Sequence, residues 1–454
     1  MRIHHEYNHF PIGLTRLLSL FLGCLMIACS AANSSTQEGT DTPSDSLSEG
    51  RRVQEEDTGP GRVITGPEVF LRDNASQLQG KNVGVVANHT ALLPGGEHLV
   101  DALIRNGVQV TKVFAPEHGF RGTADAGEKV ADGVDQKTGL PIISLYGKSR
   151  KPNTEQMSGL EVVVFDIQDI GSRHYTYIGT MSYMMEACAE KGIPMWVLDR
   201  PNPNGWYVDG PVLEAGHESF IGMHHIPIVH GMTIAEYAQM VNQEGWLEEG
   251  VQVELAYALC EGYQHNMRWD ATGLAWVPPS PNIGTEYAAY LYPALCWFEP
   301  TPVSLGRGTD DAFTMIGAPW FQLPQDAAAR ASTFMYGLDF QEKDFTPVSL
   351  PGKSKYPKFQ DELCQGMTFT NRVSGKDLLL AGTAMMAYFY QLHQQKAVSG
   401  AYFKKGFHRW PGNESFKKQI QDGVATEDIY QSWQADVQEF KSVRKKYLLY
   451  EDFE

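Results

Sequence analysis

The chain has 454 residues, 42% of them hydrophobic, 11% aromatic and 20% charged, which gives ample apolar material for a core and length for two or three domains. Its formal net charge of −17 argues against a nucleic-acid partner, because phosphate backbones demand clustered Lys and Arg. A small anionic ligand held in a local basic pocket stays compatible with that balance.

In chain order, Arg2 and Arg16 flank an opening that leads into the apolar run Leu17–Ala28 and ends at Cys29. Twelve residues are too few to span a bilayer but suit the apolar region of a signal peptide. Met26-Ile27-Ala28-Cys29-Ser30 resembles the lipobox of bacterial lipoproteins, with Cys29 as the lipidated residue, although Leu is usual where Met26 stands. Cys24 is a weaker competing site, and a plain secretory signal is the alternative. From Ser30 to about Gly61 the chain is Ser-, Thr-, Asp-, Glu- and Gly-rich and reads as a flexible tether. The expectation is a membrane-anchored, extracytoplasmic lipoprotein of the periplasm or outer membrane, touching the membrane through its lipid alone.

Folded sequence is expected from near Gly66. Val83–Ala87 is a β-branched run that predicts a buried strand. His98–Asn106 has helical apolar spacing and stops at Gly107, and Val110–Ala115 is again strand-like. The same grammar returns in Val162–Phe165, in a helix from about Thr176 to Lys191 closed by Gly192, and in Pro194–Leu198. Strand, helix and strand in alternation predict an α/β fold with a parallel sheet and helices on both faces. Polar residues follow each apolar strand, so Asn88, Glu117, Asp166, Asp169, Asp199 and Arg200 are expected along the carboxyl rim, where open α/β sheets bind ligands. A long apolar helix near Asp377–His393 and a charged helix ending at Tyr447–Tyr450 belong to a second region with no reactive cluster.

No cofactor and no metal are expected. No G-x-G-x-x-G follows the first strand, and P-loop, H-E-x-x-H and G-x-S-x-G patterns are missing. His224 and His225 are adjacent, so on a strand they face opposite ways. Cys188, Cys260, Cys296 and Cys364 have no metal spacing and read as small hydrophobes, with one disulfide possible outside the cytoplasm.

A glycosidase needs a carboxylic acid to protonate the leaving oxygen, and a second carboxylate or help from the substrate. Glu117 suits the acid by its place at a strand end beside His118, Gly119 and Arg121. Asp166 and Asp169, followed by Arg173, His174 and Tyr175, suit a sugar site, since carboxylates accept hydroxyls and aromatic faces stack on rings.

The segments Phe114–Gly122, Val164–Gly171, Leu198–Pro203, His230–Thr233, Pro279–Asn282 and Gly306–Thr309 together resemble the NamZ-type exo-β-N-acetylmuramidases, over about Gly66 to Tyr450. The resemblance implies a Rossmann-like catalytic domain, residues 66–304, and a smaller α+β auxiliary domain, residues 305–454, after a signal peptide over 1–29 and a linker over 30–65. It implies exo-cleavage of non-reducing-end β-1,4-linked N-acetylmuramic acid from peptidoglycan-derived glycan fragments, with the site in the cleft between the domains. Carried over by position, Glu117 and Asp169 are catalytic candidates. His118, Arg121, Asp166, Arg173, Tyr175, Asp199, Arg200, Asn202, His230, Asn282, Glu299 and Arg307 are substrate-binding candidates. One segment departs from the pattern: relatives usually read Phe-Glu-Gly-Thr-Asn where this chain has Phe298-Glu299-Pro300-Thr301-Pro302. Muramic acid carries an anionic lactyl ether, so at least one of Arg121, Arg173, Arg200 and Arg307 is expected to grip it through the planar guanidinium fork. The rival readings are a lipid-anchored muropeptide-binding protein without catalysis, and a hydrolase of other specificity.

Overall fold

The computed structural model describes residues 61–121, 132–147, 149–323 and 335–454, all within one compact unit, Thr58–Glu454. The leader, Cys29 and most of the tether lie outside the described residues. The chain is packed earlier than Gly66: Val63 is fully buried, and Thr65 and Glu68 form a capping box that starts α1, Gly66–Asp73.

A seven-stranded sheet forms from β1 (Asn82–Ala87), β2 (Gln109–Ala115), β3 (Gly133–Val134), β4 (Pro141–Ser144), β5 (Val162–Asp166), β6 (Met195–Leu198) and β7 (Leu255–Ala258), in the order β3-β4-β2-β1-β5-β6-β7. Every pairing is parallel except β3 with β4. The apolar runs in the sequence mark β1, β2, β5 and β6 and leave the edge strands unmarked. β3 and β4 are short and partly exposed, so they lack the continuous apolar run of a strand buried on both faces. In the centre, register sets Val85 against Val113 and Val164. Those three valines pack on one face with Phe70, Leu99 and Leu103, while Val86, Phe114 and Phe165 pack on the other with Met181 and Met185.

The helices close on recognisable ends. α2 (Leu99–Arg105) starts where the His98 ring accepts the Val100 N–H, and α3 (Thr154–Met157) is one turn. α4 (Tyr177–Lys191) stops at Gly192, whose φ of 64° is the left-handed cap that favours glycine. α5 (Ile234–Gln243) opens with a Thr233–Glu236 capping box. α6 (Glu286–Leu295) crosses the long α7 (Gly375–Gln395) closely, because a Cβ on Gly382 would lie 2.8 Å from the Ala294 carbonyl oxygen. A second, antiparallel sheet of β8 (Met315–Ala318), β9 (Phe340–Glu342) and β10 (Gln365–Phe369) runs in the order β8-β10-β9 and marks the smaller C-terminal domain. One apolar core runs through both parts, from Phe165 and Met185 to Trp297, Leu379 and Phe389.

The C-terminal tail returns to the first domain. Arg444, 1% exposed, donates to the Gly231 carbonyl from two nitrogens and pairs with Asp452 at 2.8 Å. Tyr450 donates to Asp199, and the Leu449 N–H to Glu236. Removing one partner of a buried ion pair leaves the other uncompensated. Arg444→Met is expected to cost about 3 kcal/mol in urea unfolding; a loss below about 0.5 kcal/mol, the range of ordinary surface changes, would refute the role given to this clasp.

Candidate active site

Glu117 stands two residues past the end of β2 and the backbone folds sharply there. His118 adopts φ 71° and Gly119 φ 76°. A positive φ is costly for a side-chain-bearing residue and is held only where the surroundings enforce it, a pattern that clusters at functional sites. The half-buried Glu117 carboxylate accepts the Thr176 hydroxyl at 2.8 Å and a hydrogen bond from Tyr146, the second residue past β4. Burial first, then the charge of Glu117, pushes the Tyr146 phenol up.

Around Glu117 lies a pocket of about 70 Å³. Its walls come from the start of α4, from α6 and from the loop before β8. Tyr175 meets Tyr177 edge-on at 5.1 Å and Tyr292 at 5.7 Å, and Tyr292 lies 5.0 Å from Phe313. Tyr177 anchors the wall by donating to the Pro279 carbonyl at 2.5 Å. The Tyr175 hydroxyl is buried beside that of Tyr177. Ser280, His174 and Arg307 complete the polar lining. His174 is held neutral, pushed down to about 3 by burial and by Arg173. Its Nε2 lies 2.6 Å from the Trp410 carbonyl and its Nδ1 3.2 Å from the Cys296 sulfur, so Nε2 carries the proton.

Arg307 lies over the Phe313 ring at 4.9 Å and pairs with Glu299 at 2.8 Å. Burial works against its charge, but Glu299 overcomes it and the guanidinium is held above its ordinary value. Lys358 adds a second cation near Glu299, donating to the carbonyls of Phe298 and Val303 and pushed down to about 8 by burial. Burial also raises Glu299, but Arg307, Lys358 and Lys404 together hold it below the usual carboxylate range.

Of the residues predicted from sequence, the pocket gathers Glu117, His118, Tyr175 and Arg307, with Glu299 reaching it through Arg307. The others serve elsewhere. Arg173 is 1% exposed and spends its guanidinium on the carbonyls of Pro211, Ile226 and Trp410. Arg121 pairs with Asp135 and Asp101 at the sheet edge. Arg200 pairs with Asp166 at 2.6 Å, both buried. Asp199 accepts the Ala235 N–H in the first turn of α5. Asn202 donates to Met232, His230 accepts from the Met232 N–H, and Asn282 donates to Lys353, in each case a backbone group. Asp169 does not line the pocket; one oxygen accepts the Gly171 N–H at 2.6 Å and the other is buried without a partner among the described residues. Sequence reasoning missed Tyr146, Thr176, Tyr177, Ser280, Tyr292 and Phe313. Thr176 and Tyr177 directly follow Arg173, His174 and Tyr175, and Ser280 lies inside the segment Pro279–Asn282, so those three were within reach.

His224 meets the Tyr237 hydroxyl and His225 the Leu213 carbonyl, and among the described residues no group of three or more His, Cys, Asp or Glu is placed to hold a metal ion. The body cysteines Cys188, Cys260, Cys296 and Cys364 are buried and unpaired.

Two family models match this chain: the N-terminal part of the exo-β-N-acetylmuramidase NamZ over residues 83–287 and its C-terminal part over 290–450. The chain belongs to the NamZ family. It is 37% identical over 392 residues to the peptidoglycan β-N-acetylmuramidase NamZ of Bacillus subtilis strain 168, a match covering 86% of this chain and 92% of that one. Two crystal structures of DUF1343 family proteins from Bacteroides fragilis share the NamZ-family fold seen here. One superposes with a TM-score of 0.71 at 37% identity, covering 86% of this chain and 99% of its own. The other gives 0.75 at 32% identity, covering 87% and 100%.

Burial pushes the carboxyls of Asp169 and Asp199 up to about 7, against hydrogen bonds that favour their charge. In the unfolded chain such groups ionise near about pH 4. Between those values the unfolded state sheds protons that the fold retains, so these two groups favour folding at low pH and lose that contribution as pH rises through about 7. Asp169→Asn is therefore expected to gain stability relative to wild type between pH 4.5 and 7.5, read as the difference in Tm at each pH. A difference that stays flat across that window would contradict the burial argument.

Proposed function

We propose that the chain is an exo-acting glycoside hydrolase that releases non-reducing-end β-1,4-linked N-acetylmuramic acid from peptidoglycan fragments, in wall turnover or recycling. The observation that carries the reading is the composition of one pocket: Glu117 is the single carboxylate among the described residues lining it, and Arg307 is its single arginine.

That composition favours help from the substrate over a pair of protein carboxylates. In the first step the carbonyl oxygen of the substrate's 2-acetamido group bonds to C1. The C1–O4 bond breaks, and Glu117 gives its proton to the departing oxygen. Water then attacks C1, Glu117 takes back a proton, and the ring formed by the acetamide opens, so the β configuration is kept. In this reading the buried Tyr175 hydroxyl orients the acetamide, and the charge of Asp169, which acts on Tyr175, makes Asp169 a positioning group. Arg307 grips the lactyl carboxylate, and Lys358 adds to the local positive potential. Residues 1–60 supply the address: a signal peptide, lipidation at Cys29 and a tether that lets the enzyme reach the wall from a membrane.

Glu117→Gln is expected to lower kcat by about 10²- to 10⁴-fold on a muramic acid–glucosamine disaccharide. The loss should be smaller on 4-nitrophenyl β-N-acetylmuramide, whose leaving group departs without much protonation. Wild-type protein that binds muropeptides but turns over neither substrate would instead support the binding-protein reading. A hydrogen bond to a charged group contributes about 1.5–3 kcal/mol, so Arg307→Ala should cut kcat/KM on the muramide by roughly 10- to 100-fold. The same variant should change turnover of the matching glucosaminide far less; equal losses on the two would remove the lactyl role.

A further inference from the structure

The Glu117 pocket is not the larger opening on the rim. Outside the ends of β1, β5 and β6 lies a second cavity of about 380 Å³, within the ~300–1,000 Å³ range of small-ligand sites. It sits where the chain leaves β1 and β5 toward opposite halves of the sheet, the crevice in which open α/β sheets bind ligands. Nothing in the chemistry derived above uses it.

Its polar groups are closed on themselves. Arg200 is paired with Asp166, and Arg62 with Glu68 at 2.6 Å, so each charge on the wall is balanced beside it. The rest of the wall is mainly apolar, from Leu92, Leu93, Leu274 and Val277. One group stands out. Trp269, 8% exposed, lies on the wall, and its indole N–H has no hydrogen-bond partner among the described residues. Burying an indole donor without an acceptor is unfavourable, so this position favours an acceptor brought by a ligand.

The two cavities are neighbours. Val277 faces the larger one and Ser280 the Glu117 pocket. Between them, the Pro278 carbonyl meets the His89 ring at 2.7 Å and the Pro279 carbonyl accepts Tyr177. Their charge differs. The Glu117 pocket has Arg307 in its wall, with Lys358 and Lys404 acting on the same Glu299, whereas the larger cavity is electrically balanced. The bond to be cleaved joins an acidic amino sugar to a neutral one. We infer that the larger cavity binds the neutral 2-acetamido sugar on the leaving side, its ring against the apolar wall and an oxygen accepting the Trp269 N–H. This assignment rests on the muramidase reading of the Glu117 pocket.

The test compares wild type with Ala275→Trp, which fills the cavity from an exposed position and leaves the core untouched, and with Trp269→Phe, which keeps a smaller aromatic ring there and removes the N–H. Both variants are expected to raise KM for a muramic acid–glucosamine disaccharide by about tenfold, the order expected when one good hydrogen bond to the sugar is no longer made. Turnover of 4-nitrophenyl β-N-acetylmuramide, which has no second sugar, should stay within twofold. Equal losses on both substrates, or none on the disaccharide, would overturn the assignment. Saturation-transfer NMR with di-N-acetylchitobiose reads the site without catalysis: transfer is expected in wild type and lost in Ala275→Trp. If turnover is absent while that binding and its loss are seen, the hydrolase reading fails and the neutral-sugar site stands. If turnover is present and chitobiose shows no transfer, the site fails and the hydrolase reading stands.

Discussion

The pair between Asp166 and Arg200 ties together the parts of the rim on which the larger cavity depends. Asp166 is the last residue of β5 and Arg200 the second past β6, and Arg200 also donates to the Leu92 carbonyl in the segment after β1. Three segments that emerge from adjacent parallel strands are thereby held at a fixed spacing around one buried pair. Charges buried this deeply need a partner and further hydrogen bonds to be tolerated, which makes the arrangement intolerant of losing either residue. It also neutralises the crevice at the switch point, so the positive potential of the site lies instead beside Glu117.

The fate of the arginines follows from the same requirement. An arginine folded into an α/β core has five donors to satisfy, and backbone carbonyls in irregular segments are the nearest acceptors. Arg173 and Arg444 are used in that way, each binding segments far apart in sequence. Arg307 differs because its partner is the Glu299 side chain and its other neighbours are rings, Phe313 and Tyr292. A guanidinium held against an aromatic face and one carboxylate has N–H donors left over for a ligand.

Much of this was legible in the residues. Continuous β-branched runs stopping at polar residues gave the four central strands and the rim, because a strand buried on both faces has no room for alternation. Glu117 could be singled out because it stands two residues past such a run and two before a glycine. What could not be read was which rim residues point into the cleft and which point back. Asp199 and Asp166 look alike in sequence, yet one serves a helix start and the other an arginine. Tyr292 and Phe313 carry no local signal, since an aromatic on an apolar helix or in a loop reads as core until the neighbouring domain is in place. Tyr146 was hidden for another reason: β4 is four residues long and partly exposed, so its end could not be located.

The segment Phe298–Pro302 shows how two prolines are accommodated in a turn. Proline fixes φ and removes an N–H, so two prolines fit only where no donor is needed there. The turn supplies acceptors instead. The Phe298 carbonyl receives the Thr301 hydroxyl, the Thr301 N–H and the Lys358 ammonium, and the Pro300 carbonyl receives the Lys404 N–H. Glu299 sits at the head of this stiffened turn with its carboxylate on Arg307. The prolines therefore act on the carboxylate–arginine pair rather than on Glu117: they limit how far Glu299 can move, and with it the position of Arg307 in the pocket wall. A rigid pair of this kind favours a single placement of an incoming carboxylate, which is what discrimination between an acidic and a neutral amino sugar requires.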